Sequence, residues 1–309
     1  MLNLILLFGF SLFVVVKSAE FATRRSSELA RALHLSTYTI GFIVVAAISV
    51  LPEAAVAISS ALQGTPSLGL GTVFGANLID LTIVFALITL VSRRTLKVES
   101  KILKNAFLYV GTIAFPIIFG LNGNYTRVEG IALVVLGVLF YFVVLRGVRH
   151  RDLEDVAKRF PFKSLILLSV TMVALLIGSH FTAYFGIALA DIVGISPIFI
   201  GMFFISAGTV LPELFFSLRA VRHNHDNLAL GNLLGTVITN ATIIVGVIAA
   251  INPFSFNPRI IYISGVFMFL ATALLFYLMK SGRALTRREA VILLIFYAAF
   301  VSAELSVAF

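Results

Sequence analysis

The sequence predicts an all-α membrane protein of ten transmembrane helices, arranged as two inverted five-helix repeats. Three observations predict this: the composition, the placement of the basic residues, and a self-similarity under a shift that carries Ile40 onto Ile200.

The chain has 309 residues, 60% hydrophobic and 12% charged, with a mean hydropathy of +1.07. A soluble domain is nearer half apolar and a quarter charged, so most of this protein's outer surface is expected to face lipid. Cysteine is absent, which excludes disulfides and thiolate metal sites. The net charge of +9 lies almost wholly between apolar segments. It therefore reads as membrane orientation, and no nucleic-acid partner is expected.

Apolar stretches long enough to span a bilayer recur at 2–22, 38–61, 67–91, 102–120, 127–147, 164–190, 196–219, 228–251, 259–280 and 286–308. The first has no positive residues ahead of its apolar run, and Lys17, Arg24 and Arg25 follow it, so it reads as a transmembrane helix rather than a signal peptide. Basic residues then fill alternate loops. Lys17, Arg24, Arg25 and Arg31 follow the first span, and Arg93, Arg94, Lys97, Lys101 and Lys104 follow the third. Arg146, Arg149, Arg151, Lys158, Arg159 and Lys163 follow the fifth, Arg219 and Arg222 the seventh, and Lys280, Arg283, Arg287 and Arg288 the ninth. Only Arg127 and Arg259 fall on the other side. The positive-inside rule makes the basic side cytoplasmic and puts both termini outside. The expected organisation is a first repeat over 1–148, a cytoplasmic connector over 149–163 and a second repeat over 164–309.

Under the 160-residue shift, Ile40–Leu87 aligns on Ile200–Val247 without a gap. Val50-Leu51-Pro52-Glu53 meets Val210-Leu211-Pro212-Glu213, Gly71 and Gly75 meet Gly231 and Gly235, and Asp80 meets Asn240. Polar and helix-breaking residues match, which hydrophobic bias alone does not produce. Five spans per half is an odd number, so the second half enters the membrane with opposite polarity. Transporters use this plan, with the substrate held near the midplane by interrupted helices.

Ionisable residues inside a membrane are costly and point to function. Glu53, Glu213 and Asp80 lie well inside predicted spans. Each glutamate follows a proline, which removes a backbone donor and frees a carbonyl oxygen nearby. Carboxylates beside freed carbonyls make a cluster of hard oxygen ligands suited to Ca²⁺, which takes six to eight oxygens. The glycines at Gly71, Gly75, Gly231 and Gly235 permit close helix approach. They leave Asp80 and Asn240 to face the glutamates of the opposite half, with Ser49, Thr209 and Thr236 adding hydroxyl oxygens. The competing reading is that these polar groups only join helices. Two Pro-Glu pairs in register with an Asp/Asn pair go beyond that role.

These motifs resemble the α-repeats of the cation/Ca²⁺ exchanger superfamily, especially its prokaryotic sodium/calcium exchanger type. The family pattern is Gly-Thr-Ser-Leu-Pro-Glu followed by Gly-Asn-x-x-Gly-Ser-x-x-x-Asn or Asp. The second half matches well in Gly208-Thr209-Val210-Leu211-Pro212-Glu213 and Gly231-Asn232 through Asn240. The first half is looser in Ile48-Ser49-Val50-Leu51-Pro52-Glu53 and Gly71-Thr72 through Asp80. The resemblance implies a secondary antiporter, not an enzyme, exchanging Ca²⁺ for Na⁺ or H⁺ by alternating access. It implies Ca²⁺ ligation by Glu53 and Glu213, completed by Asp80 and Asn240, with Ser49, Thr209 and Thr236 helping to bind Na⁺. Inorganic cations and the lipid bilayer are then the expected partners, and no cofactor is expected. A single chain is sufficient, and the setting is a prokaryotic plasma membrane. The alternatives are a passive channel or uniporter, or an exchanger of another cation.

Three departures bear on coupling. Val50, Val210 and Ala76 replace serines of the family pattern, so three hydroxyl oxygens that Na⁺ would use are missing. The acid and amide at Asp80 and Asn240 are exchanged between repeats, which preserves the total charge. Three carboxylates crowded in a low-dielectric site repel one another, which makes H⁺ a candidate counter-ion, carried by Asp80 or a glutamate. Elsewhere, His223-Asn224-His225-Asp226 reads as a solvated loop rather than a metal site, and Glu20 and Glu304 read as interfacial.

Overall fold

The computed structural model describes residues 1–32, 46–92, 94–144 and 162–308. The start of the predicted second span, most of the predicted connector 149–163, and the basic residues Arg93, Arg146, Arg149, Arg151, Lys158 and Arg159 lie outside the described residues.

The chain is almost entirely helical. Helix α1 covers Leu2–Ala32. A short turn of helix at Ala46–Ser49 leads to α2, Leu51–Leu62. Next come α3 (Pro66–Val91), α4 (Ala106–Gly120) and α5 (Arg127–Val144). The second half holds α6 (Phe162–Val193), α7 (Pro197–Arg222), α8 (Asp226–Ile251), α9 (Ile261–Lys280) and α10 (Arg287–Ala308). Among the described residues, eight helices are long and apolar enough to cross a membrane. The other two predicted spans coincide with the shorter apolar helices α2 and α4. The protein is an integral membrane protein.

The 160-residue register carries into the backbone. Pro66–Ile79 and Asp226–Thr239 are α-helical, and Asp80–Val84 and Asn240–Ile244 then open into π-helical turns. The register also extends to helix starts. Thr126 and Glu129 form a capping box ahead of α5, with Thr126 N donating to Glu129 Oε2 at 2.8 Å and Glu129 N to Thr126 Oγ1 at 3.2 Å. Thr286 and Glu289 do the same ahead of α10, at 2.7 and 3.4 Å.

Two short antiparallel ribbons tie the halves together. Strand β1 (Leu96–Lys97) pairs with β4 (Ala284–Leu285), and β2 (Asn124–Tyr125) pairs with β3 (Phe254–Ser255). Beside the first ribbon, both Arg94 guanidinium nitrogens donate to Asp226 at 2.7 Å. The Lys97 backbone N–H donates to the same carboxylate at 3.1 Å.

Backbones touch where the glycines lie. A Cβ on Gly71 would overlap the Ile198 carbonyl oxygen, and one on Gly75 would overlap that of Met202. Gly201 meets Leu68 O and Thr72 N in return, so α3 and α7 cross without room for side chains. Gly130 and Gly246 form a similar crossing between α5 and α8 that was not foreseen from the sequence. The residues that the repeat would place against Gly231 and Gly235 are 38 and 42, outside the described residues. Most of the buried apolar side chains form one core, whereas α1 and α6 pack on each other through a second cluster containing Phe8, Val15, Leu175 and Ala183.

Gly75→Val is expected to cost about 1–3 kcal/mol by overpacking the α3–α7 crossing. Gly111→Ala, where a Cβ meets nothing within 4 Å, is expected to leave stability unchanged. Thermal unfolding of the two variants in detergent checks both outcomes.

Candidate functional site

The site begins with two helices that start inside the protein. The helical turn Ala46–Ser49 gives way at Val50, and α2 restarts at Leu51-Pro52-Glu53. In α7 the turn Ser206–Thr209 gives way at Val210, and the helix restarts at Leu211-Pro212-Glu213. Pro52 and Pro212 have no N–H for the carbonyls of Ile48 and Gly208 one turn earlier. Glu53 and Glu213 each fall in a first helical turn, where the positive end of the helix dipole favours an anion. Facing them are Asp80 and Asn240, each the first residue of a π-helical turn. Such turns recur at functional sites because they re-aim side chains within a helix.

All seven predicted polar ligands, Ser49, Glu53, Asp80, Thr209, Glu213, Thr236 and Asn240, are fully buried. Asp80 of the first half lies beside Glu213 of the second, and Glu53 lies near both. Thr236 Oγ1 donates to Glu213 Oε1 at 2.9 Å. Thr209 faces Glu53 across the halves. Ser49 instead donates to Asn232 Oδ1 at 2.9 Å, again across the halves. Asn240 is buried, and no hydrogen bond joins it to these acids.

Both carboxylate oxygens of Glu53 and of Asp80, Glu213 Oε2, and both polar atoms of the Asn240 side chain have no hydrogen-bond partner. Among the described residues, no Lys or Arg offsets the three acids. Buried carboxylates left in this way are costly unless something positive joins them. Among the described residues, no three acidic or imidazole side chains are grouped so that they could by themselves hold a metal ion. The chemistry is therefore that of an oxygen-rich, anionic interior that a hard cation or a proton completes from hydroxyls, carbonyls and pairs of carboxylates.

Val50, Val210 and Ala76 are buried in the core, so the replaced hydroxyls are apolar surface at this depth. Three buried polar residues beside the site were not singled out as site residues: Asn77, Asn232 and Ser206. Asn77 Nδ2 donates to Val237 O at 3.1 Å and leaves its own oxygen unpartnered. Asn232 was visible within the repeat motif. Asn77 and Ser206 face Val237 and Ala46 under the 160-residue shift, so the repeat gave no signal for them. His223 and His225 are exposed, and Asp226 is taken up by Arg94, which agrees with a loop rather than a metal site. Glu20 is exposed and paired with Lys17 at 2.8 Å, and Glu304, near its helix end, is buried against the protein at 2% exposed.

The family profile described as sodium/calcium exchanger protein matches residues 3–146 and 163–305. The chain belongs to the sodium/calcium exchanger family. This is a family of exchangers, not of enzymes. Among curated relatives, inner membrane protein YrbG of Escherichia coli is 28% identical, with 80% of this chain and 79% of the relative covered. Putative antiporter CaxA of Alkalimonas amylolytica is 29% identical, with 92% of each covered. Sodium/calcium exchanger MaX1 of Methanosarcina acetivorans is 25% identical, with 96% and 97% covered. The fold is that of the solved sodium-calcium exchanger NCX_Mj, at TM-score 0.71 and 20% identity with 98% of each chain covered. It is also that of an H⁺/Ca²⁺ exchanger CAX, at TM-score 0.78 and 14% identity with 96% of this chain and 82% of that one covered.

Ser49→Ala is expected to cost about 1 kcal/mol, because it leaves the buried Asn232 amide oxygen without its donor. Asn232→Leu in the same background is expected to add less than it does alone, as a double-mutant cycle by thermal unfolding shows for coupled groups.

Proposed function

We propose that this exchanger carries Ca²⁺ across the membrane against a monovalent cation by alternating access, binding Ca²⁺ between the two halves. The observation that carries this reading is the buried convergence of Glu53, Asp80 and Glu213, whose oxygens meet no cation among the described residues. Glu53 and Glu213 supply the anionic pair, Asp80 and Asn240 complete it, and Thr209, Thr236 and Ser49 contribute hydroxyl oxygens. Such a hard, oxygen-only set suits Ca²⁺ over softer metals. Sodium/calcium and H⁺/Ca²⁺ exchange in similarly folded proteins support the same assignment.

The counter-ion is H⁺ rather than Na⁺ in this reading. Val50, Val210 and Ala76 line the interior where further hydroxyls would coordinate Na⁺, and a carboxyl group needs no such shell to carry a proton.

Ten spans in two inverted repeats, 1–148 and 164–309 with a cytoplasmic connector at 149–163, complete the proposal. Both ribbons support it. Strands β1 and β4 belong to loops that the charge pattern puts inside, and β2 and β3 to loops it puts outside. Arg94 and Asp226 are likewise both assigned to the cytoplasmic face. Both termini then lie outside, in a prokaryotic plasma membrane.

Reconstituted into proteoliposomes, the protein is expected to take up ⁴⁵Ca²⁺ when an outward H⁺ gradient is imposed. An outward Na⁺ gradient at matched pH is expected to drive little uptake. Uptake driven by Na⁺ alone would move the coupling to sodium, and uptake indifferent to both gradients would indicate a uniporter. Glu53→Gln and Glu213→Gln are each expected to lower uptake more than tenfold, because each removes one of three anionic ligands, an interaction worth well over 1.4 kcal/mol. Normal uptake by both variants would remove the glutamates from the site.

A further inference from the structure

Besides Asp226, which Arg94 pairs, one more acid lies buried outside the central group. Glu304, near the end of α10, is 2% exposed, and Ser264 Oγ donates to its Oε1. Ser264 belongs to the π-helical turn Ile261–Gly265 that opens α9. Its hydroxyl lies between the Glu304 carboxylate and Met202 Sδ, 3.5 Å away. Met202 is in the π-helical turn of α7, and its carbonyl accepts from Ser206 Oγ, directly against Gly75 of α3. One short chain of contacts therefore runs from Glu304 to the helices that carry Glu213 and Asp80.

Among the described residues, no charged group stands opposite Glu304. The elements packed on α10 are the second part of α3 and α9, with ring contacts to α7 through Phe203 and Phe300. Their titratable groups are Asp80, Tyr262, Tyr277, Lys280, Glu213, Arg219 and Arg222, and α10 itself adds Arg287, Arg288, Glu289 and Tyr297. Among the described residues, none of these interacts with the Glu304 carboxylate, and its polar partner is Ser264. A carboxylate so placed is neutralised by a proton or by a bound cation. The surroundings choose between them. One hydroxyl and one thioether do not make a shell for Na⁺ or Ca²⁺, which take several hard oxygens. A proton needs only the carboxyl oxygen itself.

We infer that Glu304 is a second proton-binding site, separate from the central carboxylates, and that its protonation is felt at the ion site through Ser264 and Met202. The coupling half of this inference rests on the proposed exchange activity, and the binding half does not.

Infrared difference spectra of the purified protein between acid and alkaline pH test the binding half without transport. The wild type is expected to show a protonated-carboxyl C=O component that Glu304→Gln loses and Glu53→Gln keeps. Ser264→Ala, which removes the hydrogen bond, is expected to move that component in frequency, and it carries the test if Glu304→Gln does not fold. A carboxyl band unchanged in both Glu304→Gln and Ser264→Ala overturns the inference. In proteoliposomes with equal pH on both sides, Glu304→Gln is expected to displace the pH dependence of ⁴⁵Ca²⁺ uptake while leaving uptake measurable. A profile superimposable on wild type overturns the coupling. A wild type that shows the infrared component but no uptake contradicts the exchange reading and leaves the proton site standing.

Discussion

The structure depends on the cost of holding three carboxylates in a membrane interior. Glu53, Asp80 and Glu213 come together where, among the described residues, no Lys or Arg offsets them, a burden that helix packing alone would never select. The surrounding architecture is arranged around that cost. Prolines break two helices so that each glutamate lies in a first turn, on the favourable end of a helix dipole. Glycines bring α3 against α7 so closely that a methyl group would strike a backbone carbonyl. That approach lets an acid on one half lie beside a glutamate on the other. The ribbons and the Arg94–Asp226 pair fix the halves at their ends, away from the acids.

Internal repetition explains why the arrangement is economical. One motif used twice supplies two broken helices and two π-helical turns around a shared centre. The copies then diverge where function allows. The acid of the third helix is kept once, as Asp80, and becomes an amide at Asn240. Glu304 and Ser264 have no counterparts in the first half: the shift places Val144 and Lys104 there. An added acid on only one side of a repeat protein breaks the equivalence of its two faces.

Much of this was legible in the residues. Composition and loop charge located the spans, and the 160-residue shift located Glu53, Glu213, Asp80 and Asn240 before any contact was known. Periodicity could not reveal the π-helical turns, because their extra residue leaves no mark on a uniformly apolar stretch such as Leu81–Leu87. The capping boxes at Thr126-Arg127-Val128-Glu129 and Thr286-Arg287-Arg288-Glu289 were readable as a continuation of the repeat and were passed over. Asn77 and Ser206 were hidden for a different reason: each is polar in one half only, and a search by repetition discards such positions. The burial of Glu304 against Ser264 of α9 was not legible, because position along a helix does not say what packs beside it.

The central claim is that the pooled charge of the site binds Ca²⁺, wherever between the halves the third acid is placed. Equilibrium ⁴⁵Ca²⁺ binding to purified protein in detergent tests it through the Asp80–Asn240 pair. Asp80→Asn alone should weaken binding about tenfold or more, since it removes a charge-assisted ligand. Adding Asn240→Asp should restore most of the affinity. Undiminished binding by Asp80→Asn, or no recovery in a folded double variant, would contradict the account.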